Sequence, residues 1–433
     1  MVAAVEGLIE IYGNEALKQA GLSTEAEKGG QTEKAERHAK GQKAINKRIR
    51  ELHKISRKTN ILRLASVDWS QTGLEPLSLA GHEWDADPWL LCCRNGVIDL
   101  RTGDFRPGRP EDYIKVAAPT EWQGLCCPAP ILERFLNEIF NGYTDLISYV
   151  QRLLGMALIG LSVEHVFFIM WGRGRNGKST LLEILGFVLG DLAGPIEAEM
   201  LLDQGRNRRS GGPTPDIMSL RGRRLVWASE TGESRKLNPG KLKWMTGGDT
   251  LTGREMYGRR QVSFRPTHTL FLLTNHRPQA PADDYALWQR IHLIPFTQAF
   301  VANPQSDSER IADRGLPERL KTEASGILAW LVNGALRYRR EGLNPPPMVL
   351  QATQDYQEEE DDVGRFIDER CIQTDDARVR ASELYDGYKR WSDDNGLTPM
   401  SNRKFPERIM ERFVRVITRH RYYLGIELHR RFS

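Results

Sequence analysis

The spacing of apolar side chains changes character several times along the chain, and each change predicts a different kind of element. Residues 31–60 show sparse apolar positions at helical spacing, as in Ala44-Ile45-Asn46-Lys47-Arg48-Ile49-Arg50-Glu51-Leu52, which predicts a solvated helix. After Asp85-Ala86-Asp87-Pro88, Trp89-Leu90-Leu91 and Arg94-Asn95-Gly96-Val97-Ile98-Asp99-Leu100-Arg101-Thr102-Gly103 alternate short apolar runs with turn residues. Asn-Gly and Thr-Gly there predict tight strand connections. From Ile131 the spacing turns helical: Leu132, Phe135, Leu136, Ile139 and Phe140 form one stripe, and Leu146, Tyr149, Val150, Leu153 and Leu154 the next. Four continuous apolar runs follow, Val166–Trp171, Leu225–Ala228, Thr269–Thr274 and Ile291–Ile294. Runs without polar alternation suit central strands covered on both faces, and their alternation with helical stretches predicts an α/β sheet.

Beyond Pro295 the pattern is helical through Ile327, Leu328, Leu331 and Leu336, ending in Asn344-Pro345-Pro346-Pro347. Those prolines and the acidic run Glu358-Glu359-Glu360-Asp361-Asp362 predict a boundary. The last segment carries a helix stripe of Leu384, Tyr388 and Trp391 and a second helix from Ser401 with Phe405 and Ile409 inward. The alternating runs Val414/Val416 and Tyr422/Leu424/Ile426/Leu428 close it. Helices followed by a hairpin predict a winged-helix domain, with Arg419-His420-Arg421 at the hairpin tip. There is no internal repeat.

Composition narrows the classes. A chain of 433 residues, 40% hydrophobic and 27% charged, is expected to fold as two or three domains. Sixty-one Lys and Arg against 57 Asp and Glu give +4, too near neutrality to wrap nucleic acid as a whole. Basic surface must then be local: ten basic against three acidic residues lie in 31–60, and nine against three in 401–433. A solvated face and a nucleic-acid contact both fit the first of these. The amino terminus has no positive opening followed by an apolar stretch, and the longest apolar region is broken by Glu164-His165, so neither secretion nor membrane spanning is expected. The five cysteines, Cys92-Cys93, Cys126-Cys127 and Cys371, lack CxxC spacing and nearby ligand histidines. They are expected as reduced core thiols of a cytoplasmic protein rather than a zinc site.

The most specific motif is Gly172-Arg173-Gly174-Arg175-Asn176-Gly177-Lys178-Ser179-Thr180, a glycine, four residues, then Gly-Lys-Ser. Average usage produces such a match by chance in roughly one or two per cent of chains this long. Glycines let backbone amides approach phosphate oxygens, and a helix starting near Ser179 presents its positive end. Lys178 would neutralise β and γ charge and the Ser179 hydroxyl would coordinate magnesium. Glu230 ends the run Leu225-Val226-Trp227-Ala228-Ser229-Glu230, at the carboxyl end of an expected neighbouring strand, where an acid can serve metal, water or both. Asn275 ends the third run and can hydrogen-bond an attacking water without adding charge, although asparagine also simply forms turns. Arg290 precedes the fourth run; it suits a guanidinium reaching a neighbouring subunit's γ-phosphate or a solvated one, and spacing leaves both.

In order, the phosphate loop, Glu230, Lys241-Leu242-Lys243 with Thr246-Gly247-Gly248-Asp249, Thr274-Asn275 and Trp288-Gln289-Arg290-Ile291 resemble superfamily-3 helicases of the phage and plasmid primase-helicase branch, including poxvirus-type primase-helicases. The resemblance runs from residue 85 to 433, through Asn95–Gly103, Glu323–Trp330 and Leu384–Trp391. It implies a hexameric AAA+ ring with ATP and Mg2+, threading single-stranded DNA at forks with 3′-to-5′ polarity in the replication system of a phage, plasmid or island, beside a primase or polymerase. It implies Lys178 as phosphate lysine, Glu230 as catalytic acid and metal ligand, Asn275 as sensor and Arg290 as a finger acting across the interface. ATP would be held by Gly172, Gly174, Asn176, Gly177, Lys178, Ser179 and Thr180. DNA would meet Lys241, Lys243 and a channel hairpin at Met256-Tyr257-Gly258-Arg259-Arg260-Gln261, with Tyr257 stacking on bases and Arg259 and Arg260 on phosphates.

Pattern and resemblance together divide the chain into a basic, partly helical extension (1–84), a mainly helical collar with short strands (85–155), a P-loop ATPase core of AAA+ type (156–300), a helical segment and linker (301–362) and a winged helix (363–433). Two features depart from the family. Gln289 stands where the family has a first arginine, so finger duty falls to Arg290. The segment before residue 85 is too short for a polymerase-type primase, which leaves a stand-alone helicase or the helicase part of a larger protein. Gly205-Arg206-Asn207-Arg208-Arg209-Ser210-Gly211-Gly212 is expected as a mobile loop. The rival reading is a replication initiator that binds DNA and uses ATP as an assembly switch, without processive unwinding.

Overall fold

The computed structural model describes residues 2–54, 84–204, 213–230, 232, 235–257 and 261–429, leaving aside the side chains of 2–6, 8 and 230. The chain divides into two compact units, Met1–Ala86 and Asp87–Ser433. In the first, helix α1 (Val2–Lys28) is followed by α2 (Thr32–His53) after a turn in which Gly30 takes a φ of 69°. Ser23 Oγ donates to the Ala35 carbonyl at 3.0 Å and so joins the two helices. Ala35 is the buried residue of α2, which is the solvated helix its sparse apolar positions predict. Residues 55–60 of the basic stretch lie outside the described part.

The second unit opens with an antiparallel meander, β1 (Leu90–Cys93), β2 (Gly96–Asp99) and β3 (Phe105–Arg106), turning at the two predicted glycine turns. Helices α3 (Pro130–Ile139) and α4 (Thr144–Ala157) bury the two stripes read from the sequence. Then come β4 (Phe167–Trp171), α5 (Lys178–Leu189), β5 (Ala193–Pro195), β6 (Leu225–Glu230), α6 (Pro239–Thr246), β7 (Leu251–Gly253), β8 (Val262–Phe264), β9 (Thr269–Thr274), α7 (Tyr285–Trp288) and β10 (Ile291–Pro295). Five of these strands form a parallel sheet in the order β10-β4-β9-β6-β5. The chain is thus mixed α/β with a parallel sheet and a helical amino terminus. All six residues of β9 and the first four of β4 are buried, as unbroken apolar runs require. Strand β5 was not predicted, because Ala193-Gly194-Pro195 carries no apolar signal. Buried Arg224, just before β6, fastens the sheet to the meander and α4 by donating to the carbonyls of Pro88, Leu90 and Leu158.

A small parallel pair, β11 (Ala299–Val301) and β12 (Glu309–Ile311), precedes α8 (Ala324–Glu341). Helices α4 and α8 touch backbone to backbone: a Cβ on Gly155 would lie 2.1 Å from Ala335 N, and one on Gly334 2.1 Å from Gln151 O. Neither helix can yield without losing its core stripe. Gly155→Ala is therefore expected to destabilise the unit by about 1–3 kcal/mol, read as a lower urea midpoint at unchanged slope.

Within the expected boundary region Pro347 opens α9 (Pro347–Glu359), since proline's fixed φ suits a first helical turn, and the acidic run covers the end of that helix and the start of the next. Next follow α10 (Asp362–Arg370), β13 (Cys371–Arg380), α11 (Ala381–Asp394), α12 (Lys404–Met410), β14 (Arg415–Ile417) and β15 (Arg421–Leu428). The strands form an antiparallel sheet in the order β13-β15-β14 around Phe366, Tyr388, Trp391 and Phe405, with residues 418–420 at the β14–β15 tip. Strand β13 escaped the sequence because its residues Gln373–Asp376 are exposed and polar. The cysteines are free, but only Cys93 is buried; Cys126 is exposed and the others are intermediate, so the expectation of core thiols is corrected for four of the five.

Tyr149, buried on α4, shares a 2.6 Å hydrogen bond with His292 Nδ1 of β10. Burial pushes His292, and also His268, down to about 4. An unfolded histidine titrates near 6.5, so between roughly 4 and 6.5 the unfolded chain binds more protons. Their contribution is complete above about pH 6.5 and is lost as pH falls, roughly 2 kcal/mol for each group by pH 5. Glu360, raised to about 7 by burial, titrates in the opposite sense. The comparison is therefore wild type against His292→Gln, which should lose about 2 kcal/mol less between pH 7.5 and 5 in denaturation midpoints.

Candidate functional site

The carboxyl edge of the parallel sheet gathers most of the expected site. Register aligns Trp171 of β4, Thr274 of β9 and Glu230 of β6 in one row, so the chain leaves all three strands at the same level. From β4 it enters the phosphate-loop sequence. Backbone bonds pin this loop: Gly172 N to Thr274 O at 3.3 Å, Phe296 N to Trp171 O at 2.7 Å and Phe300 N to Arg175 O at 2.7 Å. A Cβ on Gly172 would stand 2.2 Å from Phe296 O, and one on Gly177, at φ 85°, 2.6 Å from a methyl of Ile139. Gly174 differs, since a Cβ there meets nothing within 4 Å. The left-handed turn inside the loop is taken by Arg175 at φ 63°.

Lys178 is the first residue of α5 and is 5% exposed. Its Nζ donates to Gly172 O at 2.5 Å and to Asn275 Oδ1 at 3.4 Å, so the lysine and the expected sensor touch. Burial lowers it to about 8. Among the described residues no carboxylate pairs with it, and a buried ammonium answered only by a carbonyl and an amide is a donor set that fits an anion. Ser179 follows with its side chain exposed at the helix start, beside half-buried Thr180, and Asn176 is buried with Nδ2 donating to Phe296 O at 3.4 Å. Triphosphate would sit against the loop amides, Lys178 and Asn176. Magnesium would take the Ser179 hydroxyl and an acid from the β6 end. Glu230 is at that end by backbone register; its side chain lies outside the described part.

Arg290 is not brought to this edge. It precedes β10, and its carbonyl accepts from Phe167 N at 2.6 Å where β4 begins. Four strand steps, about 13 Å, separate that row from the phosphate-loop row. The guanidinium donates to Ala286 O at 2.6 Å, and its Nε is buried without a hydrogen-bond partner.

The expected DNA-contacting lysines are engaged within the chain. Asn238 caps α6 by accepting from Lys241 N at 3.0 Å, and Lys241 Nζ donates to Glu199 O at 3.0 Å. Lys243 pairs with Asp284 at 2.6 Å, while the other oxygen of Asp284 accepts from Leu287 N and starts α7, just before Arg290. Strands β7 and β8 form an antiparallel pair, and Tyr257 between them is 96% exposed at φ 64°. Gly258, Arg259 and Arg260 lie outside the described residues, as does the loop 205–212.

The sequence reading missed Arg277 and Asp284. The Arg277 guanidinium lies 4.3 Å over the Trp171 ring, at the end of β4, and pairs with Glu359 of α9 at 2.5 Å. Its nearness to Asn275 was a signal, but a partner more than eighty positions away was invisible.

The class defined so far is a mixed α/β protein presenting a phosphate-loop sequence at the carboxyl edge of a parallel sheet. Family models match in three stretches: "D5 N terminal like" over residues 12–141, a family of unknown function over 170–290, and "Poxvirus D5 protein-like" over 358–421. A mimivirus protein (Acanthamoeba polyphaga mimivirus) is 30% identical over 72% of this chain and 34% of its own length; one from Frog virus 3 is 25% identical over 73% and 40%. Both are named "Putative helicase". An African swine fever virus protein named "Putative primase" is 24% identical over 72% of this chain and 34% of its own length. The solved apo NrS-1 C terminal region aligns with 81% of this chain and 76% of that one at 16% identity and a TM-score of 0.43, too loose to carry an argument.

The chain is thus similar to D5-type proteins in both its amino-terminal and carboxyl-terminal parts. The chain spans about a third of the length of the curated relatives it matches. No described helix is long and apolar enough to cross a membrane.

Proposed function

We propose that this chain is the ATP-dependent helicase part of a DNA replication system, an AAA+ ATPase of superfamily 3 that assembles as a hexameric ring and moves 3′-to-5′ on single-stranded DNA. The observation that supports it most is the split of the site between the two edges of one sheet. Lys178, Asn275 and the Glu230 position share the carboxyl edge, and Arg290 stands at the other. An arginine whose backbone lies about 13 Å or more along the sheet from its own phosphate-loop row suits the loop of a neighbouring copy, which is what a ring supplies. In this reading the domains are the five named above, with the three-stranded sheet and helices of 363–433 as the winged helix.

Magnesium, when bound, screens the β and γ charge. Lys178 neutralises the remainder and already touches Asn275, so anion and sensor are positioned together. Asn275 hydrogen-bonds the attacking water, Glu230 accepts its proton, and Arg290 of a neighbouring copy meets the charge that builds on the transferred group. Because Lys243 pairs with Asp284 at the start of α7, a pull on the basic motif reaches the segment that carries Arg290. Exposed Tyr257 offers a ring for base stacking.

The test is hydrolysis and unwinding together. Random-sequence single strands should stimulate ATP hydrolysis, and a forked duplex should be separated only when hydrolysable nucleotide is present. Sequence-specific duplex binding without strand separation would instead favour the ATP-switched initiator. The observation on that side is the exposed Arg419-His420-Arg421 at the β14–β15 tip.

A further inference from the structure

Away from the phosphate loop, α8 and the segment leading into α3 enclose a cavity of about 1020 Å3. Helix α8 presents Gly326, Trp330, Asn333, Arg337 and Arg340 to it, spaced four, three, four and three apart, a single helical stripe. From Trp330 to Arg340 this stripe runs about 15 Å. Arg101 and Arg339 also line the cavity, and Glu133 is the one acid among its lining residues. Three of the four guanidiniums are held in place: Arg337 by Gln151 Oε1 at 2.9 Å, Ser148 Oγ at 2.6 Å and Glu341 at 3.5 Å, Arg101 by Asp87 at 2.7 Å and Asp99 at 3.3 Å, and Arg339 by the Arg101 carbonyl. Arg340 is exposed and forms no ion pair among the described residues. None of the residues given a part in hydrolysis faces this space.

We infer that this cavity is a separate binding site for a short stretch of single-stranded DNA, whose phosphates meet the arginines while a base stacks on Trp330. The inference rests on the DNA-motor reading and adds a location to it. Guanidinium forks fit phosphate oxygens, and an indole face accepts any base. With the ring at one end of the stripe and the charge at the other, both faces of a nucleotide strand are served. An acidic peptide would use the arginines but leave the indole without a matching group.

The experiment uses the full chain and a labelled oligothymidine, with affinity measured against salt. Arg340→Glu should weaken binding and flatten the salt slope by about 0.7 for each phosphate that is no longer neutralised, leaving DNA-free hydrolysis unchanged. Arg340→Lys should keep the slope. Trp330→Leu should lower affinity roughly tenfold at unchanged slope. Cys126, exposed in the cavity wall, gives a readout independent of affinity: bound oligothymidine should slow its alkylation severalfold. If Arg340→Glu keeps the wild-type slope and Cys126 reacts at one rate with or without bound DNA, the cavity is not the site, while the motor reading stands. Protection by polyglutamate and not by oligothymidine would mark a protein-docking site and overturn the inference. A wild-type chain that binds no DNA at all would overturn both.

Discussion

Arg290→Ala is expected to cut ATP hydrolysis by about 10³-fold or more while leaving nucleotide binding and assembly intact, because a finger arginine acts on charge that exists only in the transition state. The substitution is structurally mild. The guanidinium's own contact is one bond to Ala286 O, and its fixed position comes from the backbone, through Arg290 O and Phe167 N. Since Arg290 lies at the far edge of the sheet from its own phosphate loop, the loss should be repairable between copies. Mixing Arg290→Ala with Lys178→Ala subunits should restore hydrolysis at interfaces that combine an intact loop with an intact finger. Rings that form normally yet show no rescue at any mixing ratio would assign Arg290 a different role.

Lys178→Ala should abolish measurable unwinding and reduce hydrolysis by roughly 10²–10³-fold, the cost of removing one preorganised donor from developing charge. Its effect on folding should be small or even favourable, because the lost group is a buried ammonium without a carboxylate among the described residues. Burial also carries a pH signature. With Lys178 lowered to about 8, nucleotide binding must include proton uptake above that pH, so affinity should fall about tenfold per unit between pH 8.5 and 9.5. The sign follows from the anion, which favours the charged lysine and raises its pKa on binding. Lys178→Arg, charged throughout that range, should bind with no such slope, and calorimetry in buffers of different ionisation enthalpy reads the proton directly. Equal slopes in the two proteins would mean that the ammonium is not what titrates.

Legibility differed sharply between parts of the molecule. The four apolar runs appear as β4, β6, β9 and β10, within one or two residues of their expected limits, and both helix stripes appear as α3 and α4. Each is a local pattern dense enough to outvote its neighbours. Strand β13 and helix α9 were missed because their signals were polar or contradictory: an exposed acidic stretch inside a strand, and prolines that begin a helix where they seemed to end a domain. Within the site, the phosphate loop was legible because its glycines answer a steric demand, although only Gly172 and Gly177 are crowded in the fold. Lys243 and Lys241 looked like a free basic patch, and tertiary contacts engage both.

By itself the sequence determined the densely apolar strands β4, β6, β9 and β10 and the helices α3 and α4 through periodicity, and the loop that carries the glycines, lysine and hydroxyl of a phosphate-loop motif. Those properties depend on neighbours a few positions apart. The tertiary structure alone decided the strand order, the row shared by Trp171, Thr274 and Glu230, the contact of Lys178 with Asn275, and the placement of Arg290 on the opposite edge. Each of these pairs residues tens of positions apart, whose meeting depends on how the whole sheet closes, and no local pattern encodes that.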